Sequence, residues 1–203
     1  MQKENEMKNQ KRKVSVIIPI YNAKDYLNCD LDKLPISCIN YLNDNNKDIV
    51  SKVSYYLLVK LLKEIYGISS FDFAFDGKPR LLNCDLYFNI SHTKNFILIG
   101  ISSSEVGVDI EHLDRKISNT LYNRTMHEEE KELFNYKNDR SYIISFVKKE
   151  AYLKRLGTGI NVKLNSISSL NLKDCKLYIE SKNNLLLCIS SLLEEKAMVK
   201  NHL

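Results

Sequence analysis

The chain has 203 residues, 44% hydrophobic and 27% charged, with no Trp, six Gly and three Pro. This composition suits one globular domain or two small ones, and it excludes collagen-like and low-complexity chains. The net charge of +5 is mildly basic, but no dense Lys/Arg block with interleaved aromatics occurs, so nucleic-acid binding is not indicated.

Residues 1–13, MQKENEMKNQKRK, read as a disordered basic tail. The β-branched run VSVIIPI (14–20), ended by Tyr21-Asn22, reads as a strand. It is too short for a secretory leader's apolar core and far too short to span a membrane. The five cysteines are odd in number and form no CxxC, so reduced thiols in a cytoplasmic protein are expected. VSVIIPIYNAKDYL is similar to the opening of family-2 glycosyltransferases. That family continues with further βα units and an acidic DxD-like metal motif, whereas a long helical stretch and no DxD are expected here, and the reading is set aside.

Residues 47–66 place Ile49, Val53, Leu57, Leu61 and Ile65 near helical spacing, and Gly67 closes the helix. FDFAF (71–75) alternates like a strand, and DGKP (76–79) has turn chemistry. LYFNIS (86–91), FILIGIS (96–102) and VGVDIE (106–111) then predict three short strands in an antiparallel meander. HEEEKELFNY (127–136) predicts a helix with acids in its first turn. RSYIISFVKKEAYLKRL (140–156) predicts a second, stopped at LGTG, and alternation at Leu177/Ile179 and Leu185/Leu187/Ile189 predicts more antiparallel strands. The expected class is α+β. Two similar subdomains, 14–102 and 103–203, each with antiparallel strands and a long helix, would pack as a pseudo-dimer.

Three stretches carry chemistry. Asp109 and Glu111 share one strand face, where like charges repel unless a cation lies between them. Hard oxygen donors without His or Cys suit Mg²⁺ or Mn²⁺ rather than Zn²⁺. On the later helix Glu150 and Lys154 stand four residues apart and share a face, beside Lys148 and Lys149. Ser91 and His92 end a strand at the mouth of a turn, where a hydroxyl, a ring and backbone N–H groups can meet a phosphate. Each stretch alone also has an ordinary reading: a wet strand face, a surface ion pair, a capped polar turn.

Their order is more specific. GKP, NISH and GVDIE are followed, about forty residues on, by FVKKEAYLK and GTG. This resembles the 4′-phosphopantetheinyl transferase superfamily, in its larger surfactin-synthetase-activating type, over residues 71–165. The resemblance implies Mg²⁺, or Mn²⁺, held by Asp109, Glu111 and Glu150 with the diphosphate of coenzyme A. It implies transfer of phosphopantetheine to a serine of an acyl or peptidyl carrier protein, with release of 3′,5′-ADP. It makes Glu150 or Glu130 the base and puts Lys154 at the leaving phosphate. It puts His92 and Ser91 on coenzyme A phosphate, and Lys78 and Pro79 at the adenine end, with Lys149 as a further cation. The length matches the members that build one site within a monomer. Two departures stand out. Val147 occupies a position that is usually a small hydroxyl residue or Cys. INYLNDNNKDIVSKVSYYLL holds no Arg for the 3′-phosphate, leaving Lys47 and Lys52 as cations there. The alternative is a degenerate module that binds coenzyme A or a carrier protein without turnover.

Overall fold

The structure, a computed structural model, describes residues 17–133, 139–158, 162–192 and 198–201. The expected tail at 1–13 lies outside them. Strand β1 (Ile17–Asn22) leads through 3₁₀ turns to helices α1 (Ile36–Asp44) and α2 (Ile49–Glu64). Short strands β2 (Asp72–Ala74) and β3 (Arg80–Leu82) pair with each other. Then come β4 (Tyr87–Thr93), β5 (Phe96–Ser102) and β6 (Val106–His112). Helices α3 (Asn119–Thr125), α4 (Glu128–Leu133) and α5 (Asp139–Leu156) follow, and strands β7 (Cys175–Glu180), β8 (Leu185–Ser191) and β9 (Met198–Asn201) complete the order. The class is α+β.

The first long helix forms as its sequence predicts. Asp48 caps it, accepting the Ser51 N–H at 2.8 Å. Gly67, at φ 65°, ends it in the left-handed conformation. Its buried stripe, Val53, Leu57, Leu58, Leu61 and Leu62, packs on Ile97, Ile99 and Ile101 of β5. The opposite face of that sheet, through Ile20 and Leu98, meets Val106, Val108 and Ile110 of β6 and Leu185, Leu187 and Ile189 of β8. Leu186 and Cys188 then point away from that core, into Tyr142, Ile143, Val147 and Ala151 of α5. The layers are therefore helix, sheet, sheet, helix.

The meander is only half present. β4 and β5 form the expected antiparallel hairpin, with Lys94 at its turn at φ 50°. β6 does not continue it: β6 pairs with β8 in a second sheet of order β6-β8-β7. The local reason is Gly100. Without a side chain there, Val108 lies over β5 face to face, and an added Cβ would stand 2.6 Å from Val108 Cγ1. The first sheet has order β4-β5-β1-β9, and β9 joins β1 in parallel, Ile17 opposite Met198. The acidic segment expected as one helix is α4 with a separate α3 before it; residues 134–138 lie outside the described part.

Candidate active site

Strand β6 is an edge strand of its sheet, and β4 runs along its free side. The two are joined by side chains. Asn89 Oδ1 accepts the Val108 N–H at 2.8 Å, Ser91 Oγ donates to Asp109 Oδ1 at 2.8 Å, and Thr93 Oγ1 donates to Glu111 Oε2 at 3.1 Å. Alternating polar residues on β4 thus answer the alternating Gly107, Asp109 and Glu111 on β6. Both sets follow the two-residue period of extended chain.

The face of β6 that carries Gly107, Asp109 and Glu111 lies against α5, and Gly107 sets the distance. A Cβ there would stand 2.0 Å from the Ala151 carbonyl oxygen and 2.4 Å from the Arg155 nitrogen. This backbone-to-backbone approach brings one face of α5 onto the acids. Lys154 Nζ reaches Asp109 Oδ1 at 2.6 Å and Ser91 Oγ at 2.9 Å. Burial, and then the charges of Asp109 and Glu111, push the Glu150 carboxyl above its ordinary range, with Lys154 opposing. Glu111 pairs with Arg115. Asp109 is 5% exposed, and its Oδ2 is buried with no hydrogen-bond partner.

Asp109, Glu111, Glu150, Lys154 and Ser91 are thus brought together. They lie between two clefts. One, of about 540 Å³, is lined by His92, Lys94, Glu111, Arg115 and Lys116. The other, of about 780 Å³, is lined by Glu150, Lys154, Leu121, Leu153 and Leu164. His92 is exposed near the end of β4, one residue pair before the hairpin turn. Its charge helps hold the Asp48 carboxyl below the ordinary range, after the hydrogen bonds from Ser51, so the start of α2 stands near it. Lys52 lies in that first turn, and Lys47, just before it, sits 5.4 Å from the Tyr41 ring centroid.

Lys78 and Pro79 line a third cleft of about 440 Å³ beside Leu156 and Gly157. The Lys78 ammonium is used as a strut. It donates to Glu105 at 2.6 Å, to the Val106 carbonyl at 3.1 Å and to the Arg155 carbonyl at 2.9 Å. It ties the GKP turn to the start of β6 and the end of α5.

Two expected site residues are turned into the interior instead. Glu130 and Lys149 are both fully buried and form an ion pair at 2.5 Å. Glu130 also accepts from Ser145 Oγ at 2.8 Å, the His127 N–H at 2.8 Å and the Ser169 N–H at 2.7 Å. Lys149 also donates to the Thr125 carbonyl at 2.8 Å. Burial works against the Glu130 charge, but the hydrogen bonds from Lys149, Ser169 and His127 outweigh it and hold its carboxyl below the ordinary range. With every lone pair directed into the interior, Glu130 is a brace between α4, α5 and the turn at Ser169. Lys149 alternates with Glu150 along the helix, so its side chain turns inward where that of Glu150 turns to the cleft.

Sequence reasoning missed Thr93 and Arg115. Thr93 had a signal, since Ser91 and Thr93 repeat the spacing of Asp109 and Glu111. Arg115 had none, because it lies in a loop, where no helical spacing links it to Glu111. The DxD motif of the set-aside glycosyltransferase reading does occur once, as Asp30-Leu31-Asp32. It is a 3₁₀ turn in which Asp30 caps the Asp32 N–H at 3.2 Å and pairs with Lys33 at 3.3 Å, with both pair members half-exposed or more. It belongs to local turn chemistry.

The acids fit a hard divalent cation in kind: three carboxylates, one with an orphaned buried oxygen, beside basic clefts. As they stand, Asp109 is turned to Lys154 and Glu111 to Arg115, and no three His, Cys, Asp or Glu among the described residues are grouped to hold an ion. No helix among the described residues is long and apolar enough to cross a membrane.

Known proteins resemble this chain over the same stretch. The sequence profile of the family described as "4'-phosphopantetheinyl transferase superfamily" matches residues 105–199, which span β6 and α5. The chain is similar to the 4'-phosphopantetheinyl transferase gsp of Aneurinibacillus migulanus, 28% identical over 162 residues. That match covers 77% of this chain and 59% of the relative, so the chain spans less than two thirds of the curated relative's length. The match to the 4′-phosphopantetheinyl transferase superfamily thus falls on residues 105–199, which carry the paired acids and the KEAYLK helix.

Proposed function

We propose that the chain transfers the 4′-phosphopantetheine arm of coenzyme A to a serine of an acyl or peptidyl carrier protein. The observation that carries this reading is the convergence of Asp109, Glu111, Glu150 and Lys154, from one strand and one helix, on a seam between two clefts. The serine oxygen bonds to the β-phosphorus of coenzyme A, the bond from that phosphorus to the bridging oxygen breaks, and 3′,5′-ADP leaves. Asp109, Glu111 and Glu150 would hold Mg²⁺ or Mn²⁺, which when bound neutralises charge on the diphosphate.

The protein's own groups then do the following. Lys154, pinned by Ser91 and Asp109, faces the leaving phosphate and stabilises its growing charge. Glu150 is the group left to accept the serine proton, since Glu130 is sealed in the interior. His92 and Lys94 line the phosphate side, where Lys94 supplies positive charge. The partly apolar cleft beside Leu121, Leu153 and Leu164 suits the pantetheine arm. One chain supplies every group, which supports action as a monomer.

The test is the intact mass of an apo carrier protein after incubation with this protein, coenzyme A and Mg²⁺. One added phosphopantetheine per carrier, lost with a chelator and lost in a folded Asp109→Ala variant, is the expected result. Coenzyme A binding without release of 3′,5′-ADP, over several carrier types, would replace the reading with a binding module.

A further inference from the structure

Resting on that reading, we propose that Arg115 is the resident counter-ion of Glu111. It is exchanged on loading: the divalent cation takes the carboxylate, and the freed guanidinium grips the diphosphate of coenzyme A.

Without a bound ion, three carboxylates close together must be neutralised by the protein. Lys154 does this for Asp109 and Arg115 for Glu111. Both oxygens of Glu111 are engaged, one by Arg115 and the other by Thr93. Each oxygen keeps a second lone pair, but a divalent cation bound there would stand close to the Arg115 guanidinium and repel it. Thr93 is fixed in β4, whereas Arg115 lies in the loop after β6, with its side chain 38% exposed. Arg115 is the group free to move.

Where it goes is set by its neighbours. The guanidinium lies 5.4 Å from the ring centroid of Phe146, one helical turn before Glu150. That flat apolar face supports it in either position. It lines the same cleft as His92, Lys94 and Lys116, where an anion is drawn in. A planar guanidinium matches paired phosphate oxygens better than an ammonium does. Arg115 thus opposes the metal in the empty site and favours coenzyme A in the loaded one. A residue that merely braced the loop would favour both or neither.

The experiment uses the full chain and two probes. Mn²⁺ alone is titrated by the loss of free-ion spin resonance, and coenzyme A with Mg²⁺ by calorimetry. Arg115→Gln should bind Mn²⁺ about three- to fivefold more tightly, the scale of a part-exposed ion pair. It should bind coenzyme A about tenfold more weakly, the scale of a charge-assisted contact to phosphate. Arg115→Lys keeps a cation, so its Mn²⁺ affinity should return toward wild type while coenzyme A stays weakened. Circular dichroism of both variants checks the fold, and the Lys variant decides if the Gln variant unfolds. Unchanged or weaker Mn²⁺ binding by folded Arg115→Gln, or unchanged coenzyme A binding in the Lys variant, overturns the exchange and leaves the proposed function standing. A wild type that binds neither probe overturns both.

Discussion

Gly107 and Ala151 are in backbone contact: a Cβ on the first would stand 2.0 Å from the carbonyl oxygen of the second. Nothing there can rotate aside, because both neighbours are main chain. Gly107→Ala must push α5 off β6, and with it Glu150 and Lys154 away from Asp109. Overpacking in a tight core costs about 1–3 kcal/mol, and a main-chain clash lies at or beyond the top of that range. Urea unfolding should show this loss together with collapse of carrier modification. Gly100→Ala is the control. Its Cβ would meet a side chain, Val108 Cγ1 at 2.6 Å, rather than main chain; Val108 is buried and stiff, so a loss is expected here too, but a smaller one.

Glu150 should trade stability against activity. Its folded carboxyl lies above the ordinary value of 4.5, chiefly through burial and then Asp109. The folded state therefore holds this proton more tightly than the unfolded state, and stability is lost as pH rises from 4.5 through the raised value. Without metal, at neutral pH, Glu150→Gln removes that burden. Its melting temperature should rise by about 2–4 °C for each kcal/mol relieved. Carrier modification by the same variant should fall to background. A lower melting temperature for Glu150→Gln would contradict the strained carboxylate cluster.

The Glu130–Lys149 pair should matter for folding rather than for proton transfer. Lys149→Met leaves the Glu130 charge buried without its cation, at a cost of about 3–5 kcal/mol. The double variant Glu130→Gln/Lys149→Met should recover part of that loss in denaturant titrations. If Glu130 were the base, Glu130→Gln would abolish modification even at low temperature, where it remains folded. The expected result is instead a retained reaction with an unchanged pH profile.

Acid stability gives a further reading of Glu130. Its folded carboxyl is held below the ordinary 4.5, so its contribution is present above that value and is lost as pH falls through the lower folded one. Glu130→Gln should be less stable than wild type at neutral pH, and the gap should narrow in acid. Melting curves taken stepwise from pH 7 downward would show the convergence.

The elements themselves were legible because each has a local cause. Asp48 and Gly67 mark the ends of α2, and its apolar stripe predicts burial. The strand period put Asp109 and Glu111 on one face before any contact was known, and the four-residue spacing did the same for Glu150 and Lys154. What failed depended on partners distant in sequence. β6 has the alternation of a meander strand whether it pairs with β5 or with β8. Glu130 lies in a run of acids, and nothing in that run says which carboxylate will meet Lys149 inside the protein. Lys149 and Glu150 are both charged, and only packing assigns one to the interior and the other to the cleft. Arg115 finds Glu111 through the course of a loop, which carries no periodic signal.

The parallel pairing of β9 with β1 has a consequence for synthesis on the ribosome. Met198 to Asn201 follow their partners Ile17 to Ile20 by 181 residues, so they leave the ribosome long after them. Throughout that interval one side of β1 presents backbone N–H and C=O groups with no β9 strand to receive them. Such an edge invites pairing with any extended chain nearby. Nascent or truncated copies ending before residue 198 should therefore be the aggregation-prone form of this protein, with β1 as the strand that recruits them.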